Sequence, residues 1–91
     1  MFPKVVQVIP TENYRVYVYF EDGKIVCYDA TKLIERPVFL QLKDKDVFIN
    51  KCTVLNDTLA WDINGDRSVE KCLDIDPDTL YELESVNENI A

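Results

Sequence analysis

The sequence predicts an α+β domain: a small antiparallel β-sheet, rich in hairpins, carrying two or three short helices. Three observations lead there. Runs of β-branched and aromatic residues recur at short intervals, as in "KVVQVI" (4–9), "YRVYVYF" (14–20) and "KIVCYD" (24–29). Turn-forming pairs, Asp22-Gly23, Asn56-Asp57 and Asn64-Gly65, punctuate those runs. Helix signals are few and short, and strands in succession with small helical pieces give α+β.

Taken in order, "KVVQVI" stops at Pro10, and the turn-prone "TEN" leads into the alternating strand 14–20. Asp22-Gly23 then predicts a tight hairpin into 24–29. A two-residue loop would pair Phe20 with Ile25, Tyr19 with Val26, Val18 with Cys27 and Tyr17 with Tyr28. Because strand side chains alternate, that register places Val16, Val18, Phe20, Ile25 and Cys27 on the core face. It gathers Tyr17, Tyr19 and Tyr28 on the opposite face, beside Arg15 and Val26. Such a face is either covered by the chain's own helices or offered as a contact surface, since tyrosine and arginine are favoured in interfaces.

Beyond the hairpin, Leu33 and Ile34 suit one helical turn ended by Pro37, which pushes Arg36 to an extended conformation. "LKDKDVFIN" suits another helical turn, presenting Leu42, Val47, Phe48 and Ile49. Strands follow at 51–56 and 58–63 across Asn56-Asp57, with a further strand at 70–75. Asp76-Pro77 reads as a helix start, aspartate at the N-cap and proline at the first helical position. The whole chain, 1–91, reads as a single domain. A core this small gains from a second copy or a partner subunit, so a homodimer and a protein complex are both natural.

Charge is unevenly placed along the chain, whose net charge is −7. Residues 1–56 hold seven acidic and eight basic side chains, whereas residues 57–91 hold ten acidic ones against Arg67 and Lys71. An acidic surface repels phosphate backbones and speaks against direct nucleic-acid binding. It suits either plain solubility or the docking of a basic protein. Three scattered cysteines and no histidine leave a zinc site without its ligands and point to a reduced, cytoplasmic protein. No apolar run is long enough to span a bilayer, so no membrane association is expected.

The Asp-rich segment 62–78 is the obvious place to look for chemistry. Asp62-x-Asn64-Gly65-Asp66 resembles the opening of a calcium loop, but glycine falls at the fourth position, not the sixth, and Leu73 stands where a bidentate glutamate belongs. A ligand- or metal-binding regulator built on this segment therefore stands as the alternative reading. Asp74, Asp76 and Asp78 could pair as carboxylates, yet capping already explains Asp76, and Asp78 suits the first helical turn. Without histidine, neither Ser68 nor any cysteine has its usual base, and no glycine-rich loop cradles a phosphate. The expectation is no enzyme and no cofactor. Partner-contact candidates are Tyr17, Tyr19, Tyr28, Trp61, Asp76 and Asp78, with Trp61 placed either in the core or at an interface rim.

One resemblance adds to this reading. Phe20-x-Asp22-Gly23, the Pro37-Val38-Phe39 box, Leu59-x-Trp61 and Asp74-x-x-Pro77-x-x-Leu80-Tyr81 together resemble the bacterial family called domain of unknown function 2442. Many of its members carry glycine just before the Pro-Val-Phe box, where this chain has Arg36, and many have a shorter connection than the one from Asn64 to Cys72. The resemblance implies a compact α+β fold and brings no catalytic residues. Some members are fused to a DNA-binding domain, and others are encoded beside a second small protein. It therefore implies a regulatory or interaction module, such as the antitoxin-like member of a two-protein system whose partner is small, basic and encoded nearby.

Overall fold

The computed structural model describes residues 3–65 and 73–86. Strands β1 (Val5–Pro10), β2 (Arg15–Phe20) and β3 (Ile25–Asp29) form one antiparallel sheet in that order. Two 3-10 segments, Leu33–Glu35 and Pro37–Lys43, lead to helix α1 (Lys45–Asn50). Strands β4 (Cys52–Leu55), β5 (Thr58–Trp61) and β6 (Leu73–Asp74) form a second antiparallel sheet, and helix α2 (Pro77–Tyr81) follows. The α+β class holds, with two three-stranded sheets where the sequence suggested one.

The split has a local cause. Asn56 and Asp57 both take positive φ, 51° and 64°, which makes the tight hairpin turn between β4 and β5. It is this turn, through the Asp57 carbonyl, that accepts the Val5 amide at 2.9 Å. The β4–β5 pair thus meets β1 at its tip instead of extending the first sheet. Val6 adds to the mismatch, because Val5 opposes Phe20 while Gln7 opposes Tyr19, leaving Val6 as the extra residue of a bulge.

The β2–β3 hairpin forms where predicted, but its register is shifted by one. Val18 pairs with Val26, Tyr17 with Cys27 and Val16 with Tyr28. The loop holds three residues, Glu21, Asp22 and Gly23: the Phe20 amide bonds the Lys24 carbonyl at 2.9 Å, and the Gly23 amide bonds the Phe20 carbonyl at 3.0 Å. Only Gly23 takes positive φ (96°), as a three-residue loop ending in a left-handed glycine requires. A slip of one residue exchanges the faces of β3. Val26 therefore joins Val16 and Val18 in the core, Tyr28 packs against that core, and Cys27 turns outward. Ile25 is buried all the same, and its carbonyl accepts the Val86 amide from beyond α2 at 2.8 Å.

Between the sheets and helices lie Val16, Val18, Phe20, Leu42, Phe48, Leu59, Trp61 and Leu80. Polar groups inside are paired. The Trp61 indole N–H donates to the Phe48 carbonyl at 3.0 Å, and the buried Thr58 hydroxyl donates to the Ile75 carbonyl at 2.5 Å. The second of these ties the segment before α2 to β5. The cap read from the sequence is present, Asp76 accepting the Asp78 amide at 3.0 Å, and Asp44 caps α1 in the same way, accepting the Asp46 amide at 3.0 Å. Arg36 sits at φ −74°, ψ 139°, the ordinary extended conformation before a proline, so this turn needs no glycine there.

Candidate functional site

The β2–β3 turn and α2 meet across a groove of about 940 Å³, lined by Pro3, Lys4, Phe20, Glu21, Asp22, Asp78, Tyr81 and Glu82. Its base is aromatic. The Phe20 and Tyr81 rings meet edge to face, with centroids 5.0 Å apart. Its rim is acidic, with four carboxylates and Lys4 among the lining residues, and the Lys24 ammonium lies beside it over the Tyr81 ring.

Local sequence chemistry builds each side. The left-handed Gly23 turns the chain so that the Asp22 carboxylate accepts the Lys24 amide at 3.0 Å. Asp76 and Pro77 start α2, which sets Asp78 and Glu82 one turn apart beside Tyr81. Three contacts then join residues far apart in sequence. The Tyr81 hydroxyl donates to Asp22 at 2.5 Å, the Lys24 ammonium donates to the Tyr81 carbonyl at 2.5 Å, and the same ammonium sits 4.3 Å from the Tyr81 ring centroid.

These contacts set the charge states. The Tyr81 hydroxyl, and then the Lys24 amide, hold the Asp22 carboxyl below the usual aspartate range. The same bond to Asp22 raises the Tyr81 phenol above its ordinary value. Asp22 is thus a fixed anion and Tyr81 a neutral donor near pH 7. Such a rim can concentrate a cation beside an aromatic ring.

The six residues singled out from sequence fall in different places. Asp78 lines the groove. Asp76 is exposed but engaged as the α2 cap. Trp61 is fully buried against Phe48, so it belongs to the core and not to a rim. Tyr17 and Tyr19 share the outer face of the first sheet and are half-buried. Tyr28 does not join them, because the register puts it opposite Val16. It borders a smaller cleft of about 270 Å³ with Lys32, Leu33 and Arg36, and burial raises its phenol. Phe20, Asp22 and Tyr81 were not foreseen as site residues, since each has a sufficient local role as strand, turn or helix former. The available signal was that they belong to the two boxes Phe20-x-Asp22-Gly23 and Pro77-x-x-Leu80-Tyr81.

The profile of the family described as "Protein of unknown function (DUF2442)" matches residues 5–85. The chain belongs to the DUF2442 family. No curated protein and no solved structure matches it. In this DUF2442 chain two of the four boxes, the one at the first hairpin and the one at the last helix, converge on a single groove.

Among the described residues no group of three His, Cys, Asp or Glu side chains is placed to hold a metal ion. Of the predicted strand 70–75, Leu73 and Asp74 form β6, while residues 66–72, Asp66 and Cys72 among them, lie outside the described residues. Among the described residues no helix is long and apolar enough to cross a membrane.

Proposed function

We propose that this DUF2442 protein is a non-enzymatic interaction module that receives a positively charged segment of a partner protein in the groove between the β2–β3 turn and α2. One observation carries the reading: Glu21, Asp22, Asp78 and Glu82 rim an aromatic base formed by Phe20 and Tyr81. Arginine and lysine fit both halves of that arrangement, stacking alkyl stem or guanidinium on a ring while pairing with carboxylates. The partner is a basic protein, such as the second member of a small two-protein system. No cofactor enters this reading, and the site of action is the cytoplasm. The alternative, a metal-binding regulator on segment 62–78, has less behind it, because Asp76 is already spent on its cap.

The test is a titration of the whole chain with an arginine- and lysine-rich peptide, followed by amide chemical shifts. Shifts centred on residues 20–24 and 78–82, weakened by salt and reduced in Asp78→Asn/Glu82→Gln, are expected. Equal response to an acidic peptide of the same length, or shifts spread over the other faces, would overturn the proposal.

A further inference from the structure

The smaller cleft beside Tyr28 carries the opposite charge to the groove, and one continuous stretch of chain builds it. The Asp29 carboxylate accepts the Thr31 amide at 3.0 Å and the Thr31 hydroxyl at 2.8 Å, which turns the chain from the end of β3 into the first 3-10 segment. Leu33 and Ile34 are buried and pin that segment to the core, while Lys32 before them and Arg36 after them are exposed. Pro37 holds Arg36 extended. With Tyr28 and Leu33, the two basic residues enclose about 270 Å³.

The lining brings donors and no acceptor side chain. It holds a phenol, an ammonium and a guanidinium around Leu33, and no carboxylate. Among the described residues, no hydrogen bond or ion pair engages the Tyr28 hydroxyl, the Lys32 ammonium or the Arg36 guanidinium. Burial raises the Tyr28 phenol and the Arg36 charge pulls it back, so those two groups are neighbours. Asp29, whose charge also reaches Tyr28, is held by Thr31 and does not line the cleft. The fold makes no use of the guanidinium: the turn needs only the Arg36 backbone, in a conformation that any residue adopts before proline.

Charge and donor count choose the ligand. A phosphomonoester carries about −1.5 to −2 near pH 7 and three terminal oxygens. That matches two cations and three donor groups. A carboxylate brings a single charge and leaves one cation unanswered. A nucleic-acid backbone has one charge per phosphate, and its neighbouring phosphates would be set against a chain of net charge −7. Because Lys32 and Arg36 are exposed, the ester oxygen has room to point to solvent.

We propose that the cleft of Tyr28, Lys32 and Arg36 binds the terminal phosphate of a small phosphomonoester. The site shares no residue with the groove and stands or falls independently of the groove's role.

The whole chain is titrated with phenyl phosphate, inorganic phosphate and acetate, followed by amide chemical shifts. Both phosphates are expected to shift residues 28–36 and to saturate in the millimolar range, as suits so small a ligand at an open site. Binding should strengthen as pH rises through about 6, where the phosphate takes its second charge. The chain has no histidine to titrate in that window. Arg36→Gln should weaken binding about tenfold, Lys32→Gln and Tyr28→Phe severalfold, and acetate should bind at least about tenfold more weakly than phosphate. Both basic side chains are exposed, so Arg36→Gln and Lys32→Gln should melt with the wild type, which separates lost binding from lost fold. No saturable shift, shifts away from residues 28–36, inorganic phosphate binding without the ester, acetate binding as well as phosphate, or an affinity indifferent to Arg36→Gln would each overturn the proposal.

Discussion

Replacing Trp61 with phenylalanine tests the packing of the core directly. The indole is fully buried, its N–H bonds the Phe48 carbonyl at 3.0 Å, and its ring lies 5.5 Å from that of Phe48. Phenylalanine cannot donate, so the Phe48 carbonyl is left without this partner in a dry setting, at about 1–3 kcal/mol. The atoms lost with the second ring add about 1–2 kcal/mol in transfer and cavity terms. The expected loss is therefore about 3 kcal/mol, within a range of about 2–5. A chain of 91 residues has about 5–14 kcal/mol to lose from. At about 4–8 °C per kcal/mol the melting temperature should fall by about 12–24 °C. Urea denaturation followed by far-ultraviolet circular dichroism is the assay, since the variant has no tryptophan to report by fluorescence. The midpoint should drop with an unchanged slope. A loss below about 1 kcal/mol would mean that the indole donates to water at a rim, and the reasoning would fail.

Three further outcomes follow from other parts of the molecule. Gly23→Ala should cost about 1–2 kcal/mol in urea denaturation, because φ is 96° while an added Cβ meets nothing within 4 Å, so the cost is backbone strain alone. Asp22 titrates below the ordinary aspartate range in the folded chain, so its contribution is present above the unfolded pKa and lost as pH falls through the folded one; carboxyl NMR should show that titration rise toward the ordinary value in Tyr81→Phe. Tyr81 runs the other way, its contribution present below the unfolded pKa and lost as pH rises through the raised folded value. The Cys52 thiol is pushed up to about 12 by burial. At neutral pH this cuts its thiolate, and its alkylation in the native chain, by roughly a thousandfold against an ordinary cysteine; peptide mapping after maleimide labelling checks it.

What could be read from the sequence was mostly local. Asp76-Pro77 announced α2 because a cap needs only its own next few residues, and Asn56-Asp57 announced its turn for the same reason. Asp22-Gly23 announced a hairpin but not its register, since the pair suits loops of two and of three residues. That one-residue ambiguity reached far: it moved Tyr28 away from Tyr17 and Tyr19 and so dissolved the three-tyrosine face. Trp61 was open because a tryptophan on a strand fits a core or a rim until its N–H partner, 13 residues away, is known. The groove was invisible for the same reason on a longer scale, as Asp22 and Tyr81 are separated by 59 positions. Only the family boxes linked its two sides.

That separation bears on when the groove exists during folding. The first hairpin can form from neighbouring residues, within microseconds by the usual timescales. Its turn becomes one wall of a groove only when α2 arrives with Tyr81, among the last residues the fold requires. The two contacts join residues 59 and 57 positions apart, a slow step relative to local pairing. A nascent, clipped or half-unfolded chain thus presents the hairpin without the groove. Any molecule that grips both walls is selecting finished copies.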